Sequence, residues 1–381
     1  MNIRNDFLIK DGISFLNHGS FGATPRPVLE AQHRWQTEME IQPVEFLGRR
    51  AHTLLSTSIE ILADFLHTER DNLVYVTNAT TAMNIVAHSL ELGPGDEVLS
   101  TDHEYGAMDR TWRFLSQKFG FSLVSQPIPV PLTTKEAIID QFWRGVTPRT
   151  KAISISHITS PTALIFPVKE ICRRARAAGI LTVVDGAHAP GQIALNLTDL
   201  DADFYAGNLH KWLCAPKGSA FLFANPGVQN MIRPLTVSWG WENPDRTCPE
   251  WIDYLEWSGT RDLSAFLAVP DAIEYEKSHD WTTVQSDCHH LLSNIRSQIH
   301  DLFAEPALCP DSPEWYAQMA SIELPRMDPG LLKTTLYDTY QVEVPVIEWQ
   351  DKLLIRVSIQ AYNTPADGNH LVEALKKIYH R

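Results

Sequence analysis

The chain has 381 residues, 44% of them apolar and 20% charged, enough to bury a large core and to divide into one big domain and a smaller one. Its 32 basic and 46 acidic residues leave a net charge of -14, which works against nucleic-acid phosphates or anionic lipid as partners. No run approaches the roughly 20 apolar residues of a membrane span, and the start "MNIRNDFLIKDGISFLNHGSFG" lacks a signal-peptide core, so a cytoplasmic protein that binds neither membrane nor nucleic acid is expected.

Taken in chain order, the predicted strands are "LVYV" (73–76), "EVLS" (97–100), "SLVS" (122–125), "AISIS" (152–156), "LTVVD" (181–185), "DFYAG" (203–207) and "AFLF" (220–223). Segments of helical period alternate with them, and the clearest is "PVKEICRRARAAG". Pro167 can open that helix and Gly179 can end it, while Val168, Ile171, Cys172 and Ala175 recur on one face. This alternation predicts an α/β fold with a mostly parallel sheet, whose ligand sits beyond the carboxyl ends of the strands. After residue 260 the texture changes to long helical stretches, a proline-rich passage from 306 to 329, the run "LLIRVSIQ" and a last amphipathic helix. The expected division is a large domain over 16–259 and a smaller α+β domain from 1–15 and 260–381. The five cysteines, Cys172, Cys214, Cys248, Cys288 and Cys309, form no C-x-x-C pair and read as reduced thiols. His289 and His290 are adjacent on a predicted helix and point apart, so no metal is expected there.

Three strand ends carry polar residues. After "LVYV" the chain turns into a helix at "ATTAMN", where the N–H groups of Ala79, Thr80 and Thr81, two hydroxyls and the helix dipole make a small anion cradle. Threonines there serve equally well as N-caps. Asp185 closes a strand buried on both faces, where a carboxylate wants a cationic partner such as a protonated ring nitrogen; taken alone, it also fits as a cap for the next loop. The third is Lys211 in "AGNLHKWLCAPKG", where burial would lower the amine's pKa and make it a nucleophile toward a carbonyl. A phosphate cradle, a buried acid and an amine, in that order, are what pyridoxal 5'-phosphate requires.

With "FLNHGSFG", "DHEYGAMDRTW", "ISHITSPTALIFPV", "VVDGAHAPGQ", "WSGTRDLSAFLAVPDAI" and "IRVSIQAYNT", these motifs make the chain resemble, over almost its whole length, the class V aminotransferase and cysteine desulfurase family of fold-type I pyridoxal-phosphate enzymes, and within it the isopenicillin N epimerase branch. The resemblance implies a seven-stranded-type sheet in the large domain and the following roles. Lys211 holds the cofactor aldehyde, Asp185 the pyridine nitrogen, and His188 touches the cofactor at its phenolic oxygen or its Schiff-base region. Thr80, His210 and Asn208 hold the phosphate, Asn208 standing where many relatives carry serine. Thr260 reaches the phosphate of a neighbouring subunit, which implies a homodimer. Tyr105 stacks on the ring where many relatives carry histidine; a gap of one or two residues would put His103 there instead. Arg356 binds the α-carboxylate of an amino-acid substrate, Arg49 and Arg50 are candidates for a distal carboxylate, and Ser160 stands where desulfurases carry asparagine. The passage "YDTYQVEVPVIEWQDKLLIRV" lacks the cysteine on which those enzymes take up sulfur. Epimerisation of an amino acid is therefore the expected reaction, carbon–sulfur lysis the alternative and transamination the third. A second proton donor is needed for epimerisation, from among Tyr105, His103 and His18.

Overall fold

In a computed structural model of the chain, which describes residues 3–380, seven strands build the central sheet. They are β1 (Leu73–Val76), β2 (Glu97–Thr101), β3 (Ser122–Gln126), β4 (Thr150–Ser156), β5 (Leu181–Asp185), β6 (Phe204–Asn208) and β7 (Ala220–Ala224). Their order across the sheet is β1-β7-β6-β5-β4-β2-β3. The pairs from β6 to β3 are parallel, and β7 is antiparallel to both of its neighbours. This is the α/β architecture expected from the sequence.

Apolar side chains of each inner strand alternate between two separate cores. Ile153, Val184, Tyr205 and Phe221 enter one, while Ala152, Val183, Phe204 and Leu222 enter the other. A sheet covered on both faces needs apolar residues at consecutive positions, which is why these strands read as unbroken runs. Inside the strands Ser154 and Thr182 interrupt the pattern with their hydroxyls bonded to Trp112 and Asp203, and where the chain leaves the sheet the polar residues Thr101, Ser156, Asp185 and Asn208 stand as strand ends.

The smaller C-terminal domain holds an antiparallel sheet of β8 (Met319–Leu324), β9 (Val346–Trp349) and β10 (Lys352–Ser358), in the order β9-β10-β8. Strand β8 lies inside the passage read from sequence as merely proline-rich; five prolines surround it but none falls within "MASIEL". Helices Trp281–Phe303 and Pro365–Ile378 pack together beside this sheet. The N-terminal strand Ser14–Phe15 pairs with Val342–Glu343 of the same region, and the chain then runs through a short helix, His18–Phe21, toward the large sheet. Among the described residues no helix is long and apolar enough to cross a membrane. Residues 1, 2 and 381, which the sequence assigned to the smaller domain, lie outside the described residues.

Candidate active site

The register of the parallel strands brings Ser156 opposite Asp185, and Asp185 opposite Ala206, two residues before Asn208. Ser156, Asp185 and Asn208 line one cavity of about 260 Å3 together with the loops that follow them and with residues from four other segments. Lys211 and His210 enter from the loop after β6, His188 from the loop after β5, and Arg356 from β10. Tyr105, Ser160, Ala79 and Thr80 complete the group that the sequence singled out.

Lys211 Nζ lies 3.1 Å from His188 Nε2. Burial brings the amine down to about 7, the positive charge of Arg356 adds to this, and Asp185 opposes it. The amine is therefore available as a neutral nucleophile or base near neutral pH. His188 is held well below its usual value, by burial first and then by Lys211, and its Nδ1 accepts the Trp212 indole N–H at 3.3 Å. A neutral imidazole with Nδ1 as acceptor carries its proton on Nε2, the nitrogen facing Lys211. Asp185 is pushed up by burial and held back by the Ala187 N–H, which it accepts at 2.9 Å, and by Lys211. Only one of its oxygens is so engaged, and a cation placed against the other would keep the group ionised.

The anion cradle differs from the sequence reading. Helix α1 (Ala79–Ser89) is capped by Asn78, whose Oδ1 accepts the Thr81 N–H at 2.8 Å, and the Ala79 N–H donates to Asn208 Oδ1 at 2.8 Å. Two of the three expected N–H groups are thus already taken, and Thr81 is not among the lining residues. Thr80 remains, together with the Asn208 amide N–H2 and the His210 ring. His210 Nδ1 donates to the Ser219 carbonyl at 3.1 Å; burial lowers the ring to about 4, with that bond opposing. A phosphate dianion at Nε2 would reverse this balance and supply the reason for a second ring proton.

Arg356 is 5% exposed. Its Nη1 donates to the Ser160 carbonyl at 2.7 Å and its Nη2 to Ser20 Oγ at 3.3 Å, while Nε has no partner among the described residues. No carboxylate of the described residues pairs with this guanidinium, which burial lowers to about 10. Its Nε/Nη2 edge therefore fits a carboxylate brought by a ligand, through two parallel hydrogen bonds.

Five candidates fall elsewhere. His18 is fully buried, with Nε2 donating to the Lys211 carbonyl and Nδ1 accepting the Tyr362 hydroxyl, each at 2.9 Å, so neither nitrogen is left for a substrate. His103 is also fully buried: its nitrogens bond Thr162 Oγ1 and the Ile128 carbonyl, and its ring packs on Phe166 and Trp349. Thr260 is exposed and absent from the lining. Arg50 is bonded to Glu38, and neither it nor Arg49 lines the cavity. None of the five cysteines lines it. What the sequence reading passed over is Glu104, beside Tyr105, whose carboxyl accepts the hydroxyls of Thr101 and Ser156, each at 2.6 Å.

The model of the family described as aminotransferase class-V matches residues 19–371. The chain belongs to that family. This class-V protein is 35% identical to isopenicillin N epimerase of Amycolatopsis lactamdurans, across 99% of this chain and 98% of that protein. It is 28% identical to L-cysteine desulfhydrase of Arabidopsis thaliana, across 96% of this chain and 88% of that one. Among solved structures, the apo cysteine desulfurase of Thermococcus onnurineus NA1 superposes with a TM-score of 0.84 at 20% identity, over 99% of this chain and 97% of its own. The class-V enzyme is dependent on pyridoxal 5'-phosphate. The cavity fits that group: an enclosed amine for the aldehyde, a buried acid for the ring nitrogen, and Thr80, Asn208 and His210 for the phosphate.

Proposed function

We propose that this enzyme removes the α-proton of an amino acid and delivers a proton to the other face of the same carbon, so that the substrate is epimerised. The observation that carries the reading is the buried amine of Lys211, brought down to about 7 and set between an acid, Asp185, and a guanidinium without a carboxylate partner, Arg356. The cofactor, when bound, supplies an electron sink that stabilises negative charge at the α-carbon. Lys211 holds the cofactor and, once released, takes the α-proton. Asp185 keeps the ring nitrogen protonated, and His188 orients the lysine amine through their 3.1 Å contact. Thr80, Asn208 and His210 fix the phosphate, with Ala79 serving through its bond to Asn208. Arg356, steadied by Ser160, fixes the substrate carboxylate. Tyr105 is the second proton carrier, because it alone of the three candidates lines the cavity. The working form is a homodimer in which Thr260 serves the neighbouring chain.

Carbon–sulfur lysis is the second reading, favoured by the likeness to L-cysteine desulfhydrase. It would proceed by direct elimination, since no cysteine lines the cavity to receive sulfur. Incubation in D2O with candidate amino acids separates the two. Epimerisation gives α-deuterium in both enantiomers with no keto acid, whereas lysis gives sulfide and keto acid. Lys211→Ala abolishes either, and exchange that persisted in it would overturn the assignment of the base.

A further inference from the structure

Glu104 is a carboxyl without a cation: no salt bridge joins it among the described residues, and it accepts only from neutral groups, Thr101 Oγ1 at Oε1, Ser156 Oγ at Oε2 and the Ser156 backbone N–H. The ionisable groups around it offer no compensation. Asp185 stands across the strand register from Ser156 and is of like charge. Asp102 is turned away, bonded to the Ile128 N–H and the Gln350 amide. His103 is committed to Thr162 and Ile128, and Tyr105 faces the cavity. Two enclosed carboxylates this close cannot both ionise cheaply, and Asp185 is the one with Lys211 and the Ala187 N–H to favour its charge.

The hydrogen bonds then say where the proton of a neutral Glu104 sits. Thr101 Oγ1 already accepts the His103 N–H at 3.2 Å and spends its own proton on Glu104 Oε1. A proton on Oε1 would leave the threonine hydroxyl with nothing to donate to. Placed on Oε2, it donates to Ser156 Oγ, and the serine hydroxyl is turned outward. Ser156 lines the cavity and neighbours Asp185, so its freed O–H is available to a group bound there. We propose that Glu104 is a positioning residue, held as the neutral acid, which makes the Ser156 hydroxyl a hydrogen-bond donor into the cofactor cavity. Ionised, Glu104 would draw that hydroxyl back onto itself and withdraw the donor.

The inference rests on the pyridoxal-phosphate reading of the cavity, and the test keeps the two apart. Glutamine mimics the neutral acid, with an oxygen for Thr101 and an N–H for Ser156. Glu104→Gln should therefore hold pyridoxal phosphate within about twofold of the unaltered protein, while Glu104→Ala and Ser156→Ala each weaken it by about tenfold. The double variant should lose no more than either alone, because both remove one donor. Equal loss in Glu104→Gln and Glu104→Ala would show that the charged form is the useful one and overturn the proposal, as would unaltered binding in Ser156→Ala. The infrared spectrum of the cofactor-free protein at pH 6 supplies an arm without cofactor: beside the stretch of Glu276, which burial also keeps protonated, the unaltered chain should show a protonated-carboxyl stretch that Glu104→Gln lacks. Its absence sinks the neutral acid, whereas failure of the unaltered protein to take up pyridoxal phosphate sinks the reading of the cavity and leaves the infrared result standing.

Discussion

A buried guanidinium with a vacant edge is the most demanding residue of the site, because its charge is desolvated before any ligand arrives. Replacing Arg356 with Gln should raise the KM for the amino acid by about a hundredfold, the order expected for losing charge-assisted hydrogen bonds. Cofactor affinity should stay within about twofold, as none of the phosphate or ring contacts passes through it. Steady-state kinetics with a cofactor titration checks both halves, and an unaltered KM would remove Arg356 from the substrate. Lys211 makes a separate prediction. Burial lowers its amine to about 7, so the rate at which cofactor-free protein captures pyridoxal phosphate should climb with pH up to about 7 and level off above it. Capture that keeps climbing into the ordinary lysine range would mean the amine is solvated. Asp185 and Lys211 were legible as cavity residues because each stands at or just beyond the end of an apolar strand, whereas Asn208 was legible only through the family resemblance. Glu104 was not, since its environment is made by Thr101 and by Ser156, which lies 52 residues away in the sequence.

At the scale of elements, the short helix His18–Phe21 and the glycine after it bind together the parts of the site that come from different regions of the chain. His18 donates to the Lys211 carbonyl and accepts from Tyr362, and Ser20 Oγ accepts from Arg356. Gly22 has φ +72, and a Cβ there would lie 1.9 Å from the His210 carbonyl oxygen, so the segment presses against the peptide that carries the lysine. Gly22→Ala should lower stability by about 2 kcal/mol or more, as backbone would have to move. His18→Leu should slow cofactor capture about tenfold through loss of the bond to the Lys211 carbonyl, with partial rescue by His18→Gln, whose amide can donate in its place. Thermal melts and stopped-flow capture measure the two effects; a His18→Leu protein that captures normally would leave this histidine with packing alone. The strands were readable from apolar runs and the helix Val168–Ala177 from its spacing. This clasp was not, because "NHGSFG" has no periodicity and its partners lie in three distant segments.

For the molecule as a whole, a single chain leaves large apolar groups in water: Phe21 at the cavity is 74% exposed, and Trp239, on the segment leading toward Thr260, is 86% exposed. In the proposed homodimer both aromatics are assigned to the interface. A second copy is the economical occupant, since a two-fold axis lets the same patch serve both partners. Sedimentation should therefore give a dimer, and Trp239→Ser should shift it toward monomer. Thr260 offers a sharper test, because it lies outside the cavity of its own chain. Chains carrying Lys211→Ala have no base, and chains carrying Thr260→Val have one fewer phosphate contact. If Thr260 serves the partner's cavity, a hybrid of the two keeps one cavity with an intact Lys211 and an intact Thr260, so activity should reappear when the two proteins are mixed and allowed to exchange subunits. If it serves its own chain, every cavity in the hybrid remains defective, and mixing should restore nothing.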